Sequence, residues 1–288
     1  LSTVEPACYS TPEESGLRIE TLPFDRVPHQ SRLFLDYVND PLALRRFYPG
    51  AVRFHHELPA RVPEVLAAHS VDRNRVADAL AAMNQRWGAG QETLANINLL
   101  RDADCIAVVS GQQAGLLTGP LYTIYKALSA VKLAGCLQQR KTKAVPVFWI
   151  AAEDHDFAEV AFAQFIGRDC QLKQVDVKTD VHREGQPVGC VVLDESINAV
   201  IEELFELLPV SEFSTDVKSL VQQAWQPGRS YVDAFAAMMT SLLGRYGLIL
   251  LDPLDGELKK IAAPLYATAA QHAPEIANAL EQRSRELE

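Results

Sequence analysis

A chain of 288 residues with 48% hydrophobic and 22% charged side chains has a globular composition and enough length for a substantial core, which excludes a disordered or fibrous polymer. Its net charge of −10, from 27 basic and 37 acidic residues with the basic ones dispersed, argues against a phosphate-tracking nucleic-acid surface and favours small-molecule partners. No apolar run approaches the length of a bilayer span, and the first thirty residues lack a basic segment followed by an apolar core, so a cytoplasmic protein without a membrane partner is expected.

Residues 1 to 30 carry Pro6, Pro12, Pro23 and Pro28 without a sustained period and read as an irregular arm. From Ser31 to Leu100 the pattern is helical: Leu33, Phe34, Tyr37 and Val38 share one face, and Val76, Leu80 and Met83 share another. Residues 1–100 are thus expected as an arm and helical segment packing on a core built from 101–288. His55-His56-Glu57 invites a metal reading, but Leu58-Pro59 breaks the helix that a second pair of ligands would need. Five widely spaced cysteines (Cys8, Cys105, Cys136, Cys170, Cys190) form neither a disulfide framework nor a C-x-x-C site, so they read as reduced thiols, and no metal centre is expected.

Ile106, Val108 and Val109 form a β-branched run bounded by Arg101, Asp102 and Asp104 before it and Gly111 after it, the pattern of a strand buried on both faces and ending at Ser110. Leu121, Ile124, Leu128 and Val131 then recur at helical spacing, with Thr118 as the expected N-cap and Pro120 near the first turn. Between them Gly111, Gly115 and Gly119 fall every fourth residue, where glycine permits positive φ and close approach of a ligand to the backbone. The loop amides can hold an anion at the helix N-terminus, and Gln112 and Gln113 add side-chain donors and acceptors. Neither familiar phosphate fingerprint fits, since the spacing is not G-x-G-x-x-G and Leu116 follows Gly115 where a lysine would be required. A tight structural turn is the competing reading.

A second apolar run, Val145 to Ile150, predicts a strand parallel to the first, joined by a right-handed crossover through the helix that ends near Arg140. It opens into Glu153-Asp154-His155-Asp156, candidate catalytic groups able to hold an ammonium or cation or to act as acid and base. Acids capping a helix N-terminus are the alternative. Because both loops leave the carboxyl ends of neighbouring strands, Gln112, Gln113 and the acid run are expected in one pocket.

Leu172–Val177 and Val188–Leu193 look like the strands of a small β-hairpin insertion, spanning about 170–195 and separated by a turn over Asp180–Pro187. Helical patterns follow at 197–208 and 217–225, and Val232 to Tyr246 forms a strong amphipathic helix with Gly247 as its C′ residue. Leu248–Leu251 predicts a third buried strand, parallel to the others, with Asp252 at its carboxyl end. Residues 257–288 read as helical, interrupted by Pro264 and Pro274. The chain begins at Leu1 and stops at Glu288 inside a charged helical pattern, so it is expected to be part of a longer protein.

Ser110-Gly-Gln-Gln-Ala-Gly-Leu-Leu-Thr-Gly-Pro-Leu-Tyr-Thr-Ile-Tyr-Lys126, Val145 to Asp156 and Gly247 to Asp252 resemble, in order, the bacillithiol-synthesis cysteine-adding enzyme family, the cysteine ligase BshC. The resemblance covers most of the chain from about Pro23. It implies a Rossmann-like parallel-sheet α/β core with N-terminal helices, and a ligase that joins the cysteine carboxyl to the amine of glucosaminyl-malate. It implies a longer protein with a coiled coil able to support a homodimer. Condensation in water calls for an activated carboxyl, so ATP with Mg is expected. Thr118 to Tyr125 also resembles the strand-to-helix motif of adenylylating enzymes, with Tyr122 and Tyr125 where those carry histidines. On this reading Ser110, Gly111, Gln112, Gln113, Gly115, Thr118, Gly119, Tyr122, Tyr125 and Asp252 bind substrate or nucleotide. Nucleotidyl transfer without ligation and a non-catalytic ligand-binding module stand as alternatives.

Overall fold

The computed structural model describes residues 20–48, 50, 52, 55–68, 71–178 and 185–287. Most of the N-terminal arm, and residues 180–184 of the expected turn, lie outside them. The chain divides into two compact units, Leu1–Ser70 with Thr268–Glu288, and Val71–Ala267.

In the first unit, α1 (Arg32–Asn39) starts where the Ser31 hydroxyl accepts the Phe34 amide at 3.2 Å, and α2 (Val62–Ala68) follows a 3-10 segment over His55–Arg61. Neither helix has a buried residue. The helix Ala273–Leu287 has none either, and Pro274 lies in its first turn, where a missing N–H costs nothing.

The second unit runs α3 (Arg73–Arg86), α4 (Gln91–Leu99), β1 (Ile106–Gln112), α5 (Tyr122–Gln139), β2 (Ala144–Ile150) and α6 (Phe157–Val160). It continues with β3 (Phe162–Ile166), β4 (Leu172–Asp176), α7 (Ser196–Leu207), α8 (Ser214–Ala224), α9 (Tyr231–Leu243) and β5 (Ile249–Leu251), before the helix Gly256–Gln271. Pro264 does not interrupt that helix as expected: with no residue buried, the carbonyl that loses its partner is left to water.

The three predicted strands form one parallel sheet in the order β1-β2-β5, with Ser110 opposite Phe148 and Phe148 opposite Leu250. Their carboxyl ends therefore share one edge. β2 is central and almost wholly buried, as its consecutive apolar residues require. Pro146 fits there because Lys143 O and Ala151 N bond to β1, so alternation turns Pro146 N away from that strand, and β5 begins pairing only at Val147. β1 departs from expectation. It runs on to Gln112, and as an edge strand it leaves Val109 60% exposed rather than buried on both faces.

α5 packs on β1 and β2 through Thr123, Ala127, Ala130, Ala134 and Leu137. Those small residues at helical spacing let the axis come close to the sheet, while Ile124, Leu128 and Val131 sit partly buried on the flank and Leu121 is exposed. On the other side Asn84, fully buried on α3, takes the place of a further strand. Its Nδ2 donates to Leu250 O at 2.8 Å and its Oδ1 accepts Leu250 N at 3.0 Å. Gly247 ends the segment after α9 at φ 71°.

The hairpin exists, but β4 pairs with β3 upstream rather than with Val188–Leu193. Val188–Cys190 is a 3-10 turn, and Val192 makes only an isolated bridge to Ser230. The β3–β4 connection is five residues, closed by Gly167 N donating to Gln171 O at 2.9 Å, so it loses less entropy than the longer connection the pattern suggested. Among the described residues no helix is long and apolar enough to cross a membrane.

Candidate functional site

β1 delivers Gly111 and Gln112 to the sheet's carboxyl edge. A Cβ on Gly111 would lie 2.6 Å from Trp149 O on β2, so the close approach of the two strands requires glycine. Beyond Gln113 the loop is pinned by Ala114 and Leu116, both fully buried. Leu117, Thr118 and Gly119 then take φ of 54°, 80° and 71° in succession. A buried, β-branched threonine at positive φ is a strained arrangement that persists only where its surroundings impose it. It also means that Thr118 is not the N-cap of α5: the residue before the helix is Leu121, and no side chain caps it. Gly115 and Gly119 pack together so closely that a Cβ on Gly115 would meet Gly119 Cα at 2.6 Å.

Gln112 is held by α5. Its Oε1 accepts from Lys126 Nζ at 2.8 Å and its Nε2 donates to Tyr122 OH at 3.3 Å, with Lys126 also 5.8 Å from the Tyr122 ring centre. Gln113 links the two motifs directly. Its Nε2 donates to Asp154 Oδ2 at 2.6 Å and to Glu159 Oε2 at 2.9 Å. The other Asp154 oxygen accepts the Asp156 amide at 3.0 Å. That backbone bond, then Gln113, holds the Asp154 carboxyl below its ordinary pKa, so it stays ionised. Glu159 stands on α6, whose end is anchored by the buried Tyr231 hydroxyl donating to Val160 O at 2.8 Å and by Phe157 packed edge-on against the Tyr231 ring.

Gln112, Gln113, Gly115, Gly119 and Tyr122 line a cleft of about 280 Å³ together with Glu159, Phe162 and Gln164. Of the acid run only Asp154 reaches it, through Gln113; Glu153, His155 and Asp156 are exposed and outside its lining. Ser110, Thr118 and Tyr125 are also outside it. Asp252 is buried at the end of β5, where its Oδ1 accepts Leu254 N at 2.9 Å and burial raises its pKa. Beneath the loop, Thr123 is fully buried and its hydroxyl has no hydrogen-bond partner. Among the described residues no three His, Cys, Asp or Glu side chains gather as a metal site. A larger groove of about 590 Å³, around Phe205, Val210 and Lys218, contains none of the predicted residues.

Sequence reasoning missed Glu159 and Gln164. A signal for the first was present: Asp156-Phe-Ala-Glu159 has the spacing of a capping box. In the structure Asp156 makes no side-chain cap and Glu159 turns to Gln113 instead.

The sequence model described as "Bacillithiol biosynthesis BshC, N-terminal Rossmann-like domain" matches residues 17–288. The chain belongs to this family. Its parallel sheet is accordingly a Rossmann-like core. Among similar proteins, one of Koribacter versatilis is 39% identical over 269 residues, which is 93% of this chain and 49% of that protein. One of Salinibacter ruber is 40% identical over 81% of this chain and 43% of its own length, and one of Chlorobaculum tepidum 34% over 85% and 44%. All three carry the name "Putative cysteine ligase BshC". The chain spans about half the length of these relatives.

Proposed function

We propose that the protein joins the carboxyl group of cysteine to the amine of glucosaminyl-malate, completing bacillithiol, and that the cleft at the carboxyl ends of β1 and β2 takes part in binding these substrates. The observation that carries this reading is the Gln113 amide shared by Asp154 and Glu159, which ties the glycine loop to one member of the acid run and to α6. The names of the relatives supply the reaction class.

Asp154, held ionised, suits binding an ammonium group rather than exchanging protons, and Glu159 adds a second carboxylate beside it. Gln112, fixed by Lys126 and Tyr122, orients a polar group at the mouth of the cleft. His155, next to Asp154 and exposed, is assigned the proton released by the attacking amine. Carboxylates such as Asp154 and Glu159 are the oxygen ligands that magnesium takes, whereas the amides of Gly115 and Gly119 are spent on Gln113 O and Leu116 O. ATP would supply the activation that makes a carboxyl oxygen a leaving group.

The test supplies the full-length protein with cysteine, glucosaminyl-malate and ATP and follows thiol product and nucleotide together. Formation of the amide with nucleotide consumption is expected. Nucleotide turnover without amide would make it a nucleotidyl transferase, and binding without turnover a ligand-binding module.

A further inference from the structure

A parallel sheet is ordinarily covered on both faces and does not end on a long bare strand, because an unpaired edge offers its main chain to any passing strand. The two edges of this sheet are finished differently. β5 is only three residues long, and its Leu250 N–H and C=O are both taken by Asn84. β1 is seven residues long, carries neither a charge nor a proline, and among the described residues pairs with β2 alone. Ile106 N donates to Lys143 O and Gln112 O accepts Ala151 N, so alternation turns the N–H and C=O of Ala107, Val109 and Gly111 to the open side.

One face of β1 is open as well. Gln112 and Phe148 belong to the face that carries the crossover helices: Gln112 bonds Lys126 of α5, and the Phe148 ring stands 6.3 Å from that of Phe235 on α9. The other face presents Ala107 and Val109 on β1, beside Val145 and Val147 on β2. Val145 and Val147 are buried, whereas Ala107 is exposed, Val109 is 60% exposed and Trp149, on the same face, 41%. The crossovers from β1 to β2 and from β2 to β5 step in one direction, with their helices on the first face. A strand added beyond β1 reverses that direction. The same right-handedness then puts its connecting element on the second face, over Ala107, Val109 and Trp149.

We propose that the half of the full-length protein that follows these residues lays a parallel strand along the free edge of β1, bonding Ala107, Val109 and Gly111, with its crossover element over Val109 and Trp149. The family's sequence model describes an N-terminal domain and the chain spans about half the length of its relatives, so the family has ample chain for a strand and a crossover after it. A second copy of the chain would meet the same edge antiparallel across a two-fold axis and bring no crossover to that face. With the strand in place the order reverses at β1, and the loop of Gly111, Gln112 and Gln113 lies at the switch point where open α/β sheets bind ligands. The cleft is then complete only in the full-length protein, whatever reaction it serves.

The experiment follows amide hydrogen exchange of the full-length protein at single-residue resolution. The amides of Ala107, Val109 and Gly111 are expected to exchange at least about a hundredfold slower than the free-peptide rate, like those of Val108 and Ser110 that face β2. A benzophenone amino acid incorporated at position 109 then identifies what lies over the open face, by mass spectrometry of the cross-linked peptides. Cross-links within one molecule to a segment beyond position 288 are expected. Free-peptide exchange at the three amides while Val108 and Ser110 stay protected overturns the proposal. So does protection that disappears as a dimer is diluted, or cross-links confined to another copy or to residues before position 288. Should the bulky side chain prevent folding, Val109→Cys takes its place, with alkylation expected at least about tenfold slower than that of the exposed Cys190. Alkylation as fast as Cys190 shows a bare face and overturns the crossover. Thiol product is measured separately on the same protein: its absence removes the ligase reading and leaves the added strand standing, and an open edge does the reverse.

Discussion

Replacing Asp154 with asparagine keeps the shape of the side chain and removes its charge, which separates a substrate anchor from a structural brace. An asparagine carbonyl can still accept the Asp156 amide, a bond now 3.0 Å long. Its amide then faces Gln113 Nε2, donor against donor, where the carboxylate accepts at 2.6 Å. Flipping Gln113 relieves that clash but turns its oxygen on Glu159, so the bridge is lost either way. A hydrogen bond to a charged group contributes about 1.5–3 kcal/mol when sheltered. Asp154 is only partly buried, which reduces the cost to stability to about 1 kcal/mol. For a substrate ammonium paired with Asp154 the full range applies, a weakening of about 10- to 150-fold. Calorimetry with cysteine and with glucosaminyl-malate, alongside urea unfolding, reads both quantities. The lowered carboxyl pKa sets the sign with pH: its stabilisation is present above the ordinary aspartate value and lost as pH falls through the folded value, so wild type and variant should converge in acid. Normal binding and turnover combined with early unfolding would refute the anchor and leave Asp154 as a brace for the loop.

Asn84→Ala should cost about 2–5 kcal/mol in urea unfolding, because it strips partners from both the N–H and the C=O of buried Leu250; a loss under about 1 kcal/mol would mean that water or a neighbour replaces them. Asp252→Asn should raise stability at neutral pH, since the folded carboxyl binds its proton more tightly than the unfolded one and stability falls as pH rises between the two values. The gain should vanish below the unfolded aspartate pKa, and a variant that melts earlier than wild type at neutral pH contradicts it. Native alkylation followed by mass spectrometry should label Cys170 and Cys190 and spare Cys105 and Cys136, with Cys105 further protected by burial that pushes its thiol up to about 11. Rapid native labelling of Cys105 would show that β1 opens.

The sequence by itself determined the elements whose burial is written locally. Consecutive apolar residues at Val145–Ile150 and Leu248–Leu251 mark strands covered on both faces, and Gly247 marks the turn that admits the last of them. Parallel pairing followed from strand–helix–strand order, and with it the meeting of Gln113 and Asp154 at one sheet edge. Only the tertiary structure decided what depends on distant partners. β1 reads as buried from its β-branched residues, but its place at the edge of the sheet leaves Val109 exposed. β4 chose β3 because a five-residue connection closes more cheaply, a comparison of loops that no residue pattern displays. Glu159 carries the spacing of a cap and becomes part of the cleft only because Tyr231, 71 positions from Val160, fixes α6 beside Gln113. Thr123 is an ordinary helical residue in the sequence; the backbone of Gly119 and the packing of α5 on the sheet are what leave its hydroxyl buried and unbonded.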